Sequence, residues 1–212
     1  MEEKKNPVSA LDGNKGRANG AAIPDFSGKV FTDLKGIKFT IQCDRVRQLD
    51  KKAVKFDYVR ARMKKAQPVE VTLEQFFEGM RIGWTWQPGV HVNGVFQQQQ
   101  AFAIDFDNKP PLPIVHPFEA WDRADSLGYE PAGLYFTLSS TQECPRFRLV
   151  FLVGEAITDP EEVKDVYLHL LEDVYPEEEF PQVDRVCGEV NRLFLGSNGE
   201  VWTYYTREAA IG

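Results

Sequence analysis

Asp105 and Asp107 are the acids whose spacing first suggests chemistry. They sit in the run Ala101-Phe-Ala-Ile-Asp-Phe-Asp-Asn108. In a strand, side chains two positions apart share a face, so the two carboxylates stand together while Ile104 and Phe106 face a core. Adjacent carboxylates repel unless a cation lies between them, and oxygen-rich sites of this kind suit Mg²⁺. The same arrangement serves two-metal phosphoryl transfer. A second pair of charges lies in Pro145-Arg-Phe-Arg-Leu-Val-Phe-Leu-Val153. There Arg146 and Arg148 share one face, and Phe147, Leu149 and Phe151 take the other. Paired guanidinium groups suit a triphosphate because each offers two parallel donors. Asp184, an isolated acid ahead of a short apolar segment, is a candidate third ligand. Arg192 follows eight residues later and is a candidate phosphate contact. Each feature also has a plainer explanation: acids that cap a turn, or arginines on the exposed face of an edge strand.

Apolar periodicity supplies the elements that must carry these groups. Residues 37–42 alternate as a strand does. Thr72 with Gln75 predicts a capping box, followed by Leu73, Phe76, Phe77 and Met80 on one helical face and Gly83 at the end. A helix is expected over 117–127, with Pro117 at its start and Gly128 at its end. Residues 133–138 and 147–153 form a hairpin pattern around a polar turn. Asp159-Pro160 opens a further helix, with Val163, Val166, Tyr167, Leu170, Leu171 and Val174 as its apolar stripe. A short strand near 192–195, a turn at 196–199 and a strand at 201–205 complete the chain. The class expected is α+β, with a mixed or antiparallel sheet flanked by helices. Residues 1–28 read as a flexible lead-in and 29–212 as one catalytic domain, with 29–95 an N-terminal subregion and 96–212 the core.

The net charge of −7 hides a strong local asymmetry. Residues 35–65 hold eleven Lys or Arg against three Asp. Such a stretch is either a solvated charged face or a grip on phosphates, which needs a local basic surface and not a basic total. Trp84 and Trp86 are candidates for stacking on bases, although tryptophans at period two more often lie half-buried in a strand. Cys43, Cys144 and Cys187 form no Cys-x-x-Cys pair, which argues against a cysteine-built zinc site and fits a reducing cytoplasm. The sequence has no apolar run of membrane-spanning length. A cytoplasmic protein is expected.

Taken together, the motifs resemble the archaeo-eukaryotic primase superfamily, in particular its bacterial, phage and plasmid primase-polymerases. Ala-Ile-Asp-Phe-Asp-Asn matches the family's first motif. Residues 145–151 match the strand that closes its second, Val183-Asp184 the third, and 192–196 the Arg-Leu-Phe-Leu-Gly-like segment that follows. Order and spacing agree over roughly 95–205. The resemblance implies a primase-polymerase catalytic fold containing an RRM-like sheet, and template-dependent nucleotidyl transfer that makes and extends primers. It implies two Mg²⁺ or Mn²⁺ ions on Asp105, Asp107 and Asp184. Incoming NTP or dNTP would meet Ser139, Ser140, Arg146, Arg148 and Arg192, and the basic 35–65 segment would follow a single-stranded DNA template. Partners would be a replication helicase or CRISPR adaptation proteins. The family's second motif carries Ser-x-His, whereas Thr137–Thr141 holds serines and no histidine; His91, His116 and His169 lie elsewhere. Two alternatives stand beside this expectation: a non-catalytic primase-like module that binds nucleic acid, and a glycosyltransferase whose Asp-x-Asp holds a sugar nucleotide through a metal.

Overall fold

The computed structural model describes residues 36–203. The lead-in at 1–28, Lys35 and the last two positions of the strand expected at 201–205 lie outside the described residues. Within them the chain is α+β, with nine strands, four α-helices and antiparallel pairing throughout. One sheet has the order β2-β1-β3-β8, from Pro68–Thr72, Lys38–Asp44, Thr85–Gln87 and Phe194–Leu195. The other has the order β4-β5-β7-β6-β9, from Val90–Val92, Val95–Phe106, Phe147–Ile157, Gly133–Thr137 and Ser197–Thr203.

The chain passes between the sheets at two tight places, each marked by a glycine. Pro88-Gly89 joins β3 to β4, and Gly196 alone separates β8 from β9. A Cβ on Gly89 would lie 2.3 Å from the Val190 carbonyl oxygen, and one on Gly196 would lie 2.6 Å from that of Trp84 and 2.7 Å from that of Met80. Backbone cannot yield as a flexible side chain can, so both positions exclude a side chain. The turn expected at 196–199 is therefore a crossing between sheets, with β9 already begun at Ser197. The close approach that Gly196 permits is to the protein's own backbone.

Helix α2 (Leu73–Arg81) shows why the apolar stripe was placed as it was. Thr72 Oγ1 accepts from Gln75 N–H and the Gln75 side chain accepts from Thr72 N–H, which closes the capping box. Leu73, Phe76, Phe77 and Met80 are buried. Phe76 meets Trp86 of the first sheet edge-on at 4.8 Å, and Phe77 fills the space left by Gly133 of the second. Each such ring contributes roughly 1.5–3 kcal/mol by leaving water, so α2 bolts the two sheets together. On the far face of the second sheet, Phe102, Ile104 and Phe106 point away from Asp105 into a layer of helices. Phe102 packs on Tyr167 of α4 (Pro160–His169), whose last turns continue as a π-helix over Leu170–Val174. Phe106 stacks on Phe147 at 4.7 Å and meets Tyr175, whose hydroxyl donates to the Ala120 carbonyl of α3 (Pro117–Ser126). This aromatic layer holds the end of β5, where the acids lie. Among the described residues, no helix is long and apolar enough to cross a membrane.

Candidate active site

The acids are brought together by backbone pairing. β5 ends at Phe106, and the segment 182–184 runs antiparallel beside that end. Asp107 N–H donates to the Gln182 carbonyl and Asp184 N–H to the Asp105 carbonyl, both at 2.9 Å. Asp105, Asp107 and Asp184 thus line one cleft of about 440 Å³, as do Arg146, Arg148 and Arg192. Asp107 leaves the strand and turns outward, while Asp105 stays within it and is buried.

Each acid faces one arginine. Asp105 and Arg148 are register partners across β5 and β7, and their side chains meet at 3.1 Å. The Arg148 guanidinium also donates to the Leu195 carbonyl at 2.6 Å and lies over the rings of Tyr135 and Phe194. Tyr135 is its register partner on β6, and the Tyr135 hydroxyl accepts from Trp86 Nε1 at 2.9 Å. A row from Asp105 through Arg148 and Tyr135 to Trp86 therefore runs from the cleft into the core. Burial opposes the charge on Arg148. The Asp105 carboxylate and then the Tyr135 hydroxyl outweigh it and hold the pKa above the ordinary arginine value. Arg146 precedes β7; its Nε donates to the Asn108 carbonyl (3.1 Å) and lies 3.2 Å from the Asp107 carboxylate as an ion pair. Lys109 forms a further ion pair with Asp107. Arg192 meets Asp184 at 2.6 Å, while the other Asp184 oxygen accepts from Val186 N–H.

The two serines separate. Ser139 lines the cleft, within 3.2 Å of the Thr137 hydroxyl and 3.4 Å of Lys51 Nζ. Ser140 Oγ accepts from Arg146 N–H, closing the β6–β7 turn, and faces a neighbouring hollow beside Phe118 and Trp202. Of the basic segment, Lys51 and Arg60 reach the cleft. Arg62 is tied to Asp44 and Lys38 to Glu70, and Arg45 lies over Trp84. These three cations brace their own fold. Trp86 is fully buried, which removes it as a platform for bases, and Trp84 is half-buried. His116 caps α3, and His169 pairs with Asp173 and Tyr129. His91 lines a second groove of about 620 Å³ that shares Arg60, Asn191 and Leu193 with the first.

Tyr135, Asn108, Phe56 and Asn191 were not foreseen as part of the site. Asn108 is buried and its side chain binds the Val115 and Pro145 carbonyls, fixing the loop beyond Asp107. Its place directly after Asp-x-Asp was the available signal. Nothing local in the sequence marks the other three.

Three carboxylates are the right kind of donor for a hard divalent cation. As the side chains stand, each is turned to an arginine. Among the described residues no group of three or more His, Cys, Asp or Glu is gathered to hold a metal ion. Comparison with protein-family models, with curated proteins and with solved structures finds no match for this chain.

Proposed function

We propose that this chain is the catalytic module of a primase-polymerase, a template-directed nucleotidyltransferase of the archaeo-eukaryotic primase type. The observation that carries the reading is the meeting of Asp105, Asp107 and Asp184 with Arg146, Arg148 and Arg192 in one cleft. Those six residues come from three segments that are far apart in sequence, and the same segments carry the resemblance. A glycosyltransferase has no evident use for three arginines beside its acids.

Asp105, Asp107 and Asp184 would hold two Mg²⁺ or Mn²⁺ ions, which when bound activate the attacking hydroxyl and stabilise the leaving pyrophosphate. The chain's own groups do the rest. Arg146 and Arg192 reach into the cleft as phosphate ligands, and Ser139 and Lys51 add a hydroxyl and an ammonium beside them. Ser140 supports them from behind, through the backbone of Arg146. Arg148, fixed by Leu195 and two rings, presents a permanent cation at the floor. A single-stranded DNA template would leave past Arg60 and Asn191 into the groove beside His91. The substrates are NTPs or dNTPs, and the setting is cytoplasmic, beside a replication helicase or CRISPR adaptation proteins.

The test is template-dependent extension with labelled nucleotides, comparing ribo with deoxy forms and Mg²⁺ with Mn²⁺. Products whose sequence follows the template, lost in Asp107→Asn, are expected. A folded protein that incorporates no nucleotide under any of these conditions overturns the proposal. One observation favours a second reading, a module that binds nucleic acid without catalysis: each of the three aspartates is already paired with an arginine. That reading predicts single-strand binding without incorporation, unchanged by divalent cations.

A further inference from the structure

We infer that Arg146–Asp107 and Arg192–Asp184 are exchange pairs, through which a polyphosphate and a divalent cation each bind this cleft weakly alone and tightly together. The inference rests on the function proposed above and concerns how the cleft admits its ligands.

The cleft lining carries five cationic and four anionic side chains, so it is close to electrically balanced. A balanced cleft has no strong field for either sign of ligand. A polyphosphate entering alone would compete with Asp107 and Asp184 for Arg146 and Arg192. Asp184 would then be stranded facing its negative charge, and Asp107 would keep only Lys109. A cation entering alone would strand the two arginines in the same way, facing its positive charge. When both enter, the partners change: arginine to phosphate, carboxylate to cation. Each of the two arginine–aspartate contacts is replaced by an arginine–phosphate and a carboxylate–cation contact, and no charge is left unpaired. Coupling of this kind is reciprocal, so each ligand tightens the other by the same factor.

The three pairs are not equal. The side chains of Arg146 and Asp107 are 25% and 33% exposed, and those of Arg192 and Asp184 are 31% and 28% exposed. Water can reach both pairs, and they can open at little cost. The side chains of Arg148 and Asp105 are each 12% exposed, and Arg148 has its carbonyl and ring partners as well. That pair stays closed and serves as the fixed floor of the site.

The experiment uses the whole chain and neither template nor nucleotide. Inorganic tripolyphosphate is titrated calorimetrically in the presence of EDTA, and Mn²⁺ is titrated separately with no anion other than chloride. With EDTA, Asp184→Asn or Asp107→Asn should bind tripolyphosphate at least about fivefold tighter than the unaltered protein, the lower end of ordinary coupling. With Mn²⁺ alone, Arg192→Gln or Arg146→Gln should bind the cation tighter by a similar factor. Glu189→Gln removes the same charge from the same cleft outside the three pairs and reports the general field. Its effect on tripolyphosphate should be smaller by several-fold. If Glu189→Gln matches Asp184→Asn, or if no variant gains affinity, exchange is overturned. A melting curve for each variant confirms that it is folded. Neither titration depends on turnover, so exchange can fail while extension succeeds, and extension can fail while exchange stands.

Discussion

Removing Asp105 should destabilise the protein, because Arg148 is left behind. Two clustered carboxylates without a cation repel, so sequence reasoning alone expects Asp105→Ala to leave stability intact. The structure replaces that expectation. Asp105 and Arg148 meet at 3.1 Å with only 12% of either side chain exposed. At an effective dielectric of about 20, their attraction is on the order of 5 kcal/mol. Leu195 and the two rings still hold the guanidinium in the variant, which offsets part of the loss. An unpaired buried charge typically costs about 3–5 kcal/mol, and the lower figure fits this residual support. For a chain of this size each kcal/mol moves the melting temperature by about 2–4 °C, so Asp105→Ala should melt roughly 6–12 °C lower. Asp107→Ala, which breaks the more exposed ion pairs to Arg146 and Lys109, should fall by only about 1 kcal/mol. The double variant Asp105→Ala/Arg148→Met should regain most of the loss, since removing both charges of a buried pair is often nearly neutral. Thermal and urea unfolding of the four proteins measure this. An Asp105→Ala variant that melts with the unaltered protein would refute the burial argument.

Gly196→Ala should cost about 1–3 kcal/mol, because the new methyl meets two backbone carbonyl oxygens that cannot move aside; an unchanged urea midpoint would refute this. Lys51→Ala and Arg60→Ala should each lower the salt slope of single-strand binding by about 0.7. Lys38→Ala and Arg62→Ala, whose charges face Glu70 and Asp44, should leave the slope alone. Stability should also fall in alkali. Burial pushes the Tyr167 and Tyr175 hydroxyls and the Cys43 thiol above their ordinary values of 10.0, 10.0 and 9.0. Above about pH 9 the unfolded chain releases these protons first and so binds fewer than the folded one. The stabilisation is then complete below pH 9 and lost as pH rises. A urea midpoint that holds steady from pH 8 to pH 11 would contradict it.

Local signals were legible wherever the cause was local. The capping box at Thr72, the proline and glycine that bound α3, and the alternation that sets the outward face of β5 all act within a few residues. The face shared by Asp105 and Asp107, away from Ile104 and Phe106, follows from the strand period alone. What could not be read is which charge meets which. The partner of Asp105 depends on the register of β5 against β7, and that of Tyr135 on β6 against β7, and register is a non-local quantity. The same limit applies to Ser139 and Ser140. As neighbours in sequence they looked equivalent, yet the turn sends one hydroxyl to the cleft and the other to its own backbone. The basic stretch shows the converse problem, since composition counts charges without showing which are already paired across β1 and α1 (Phe56–Met63).

Rigidity and chemistry are divided along the row that leads out of the core. Trp86, Tyr135 and Arg148 are tied by hydrogen bonds and rings to both sheets, and Asp105 inherits their positions. Asp107 and Asp184 lie beyond the end of β5, on backbone bonded to it but with side chains open to water. A site that must hold reacting atoms in place while ligands come and go needs both kinds of residue. Under the proposed function, the buried acid would set the position of the centre, and the two more exposed acids would meet what enters. The order of burial, with Asp105 deepest, then predicts how the variants divide. Loss at Asp105 should appear first as lost stability. Loss at Asp107 or Asp184 should appear as lost binding of the divalent cation in a protein that still melts normally. The opposite division would mean that the buried row only braces the sheets, and that the cleft's chemistry lies entirely at its rim.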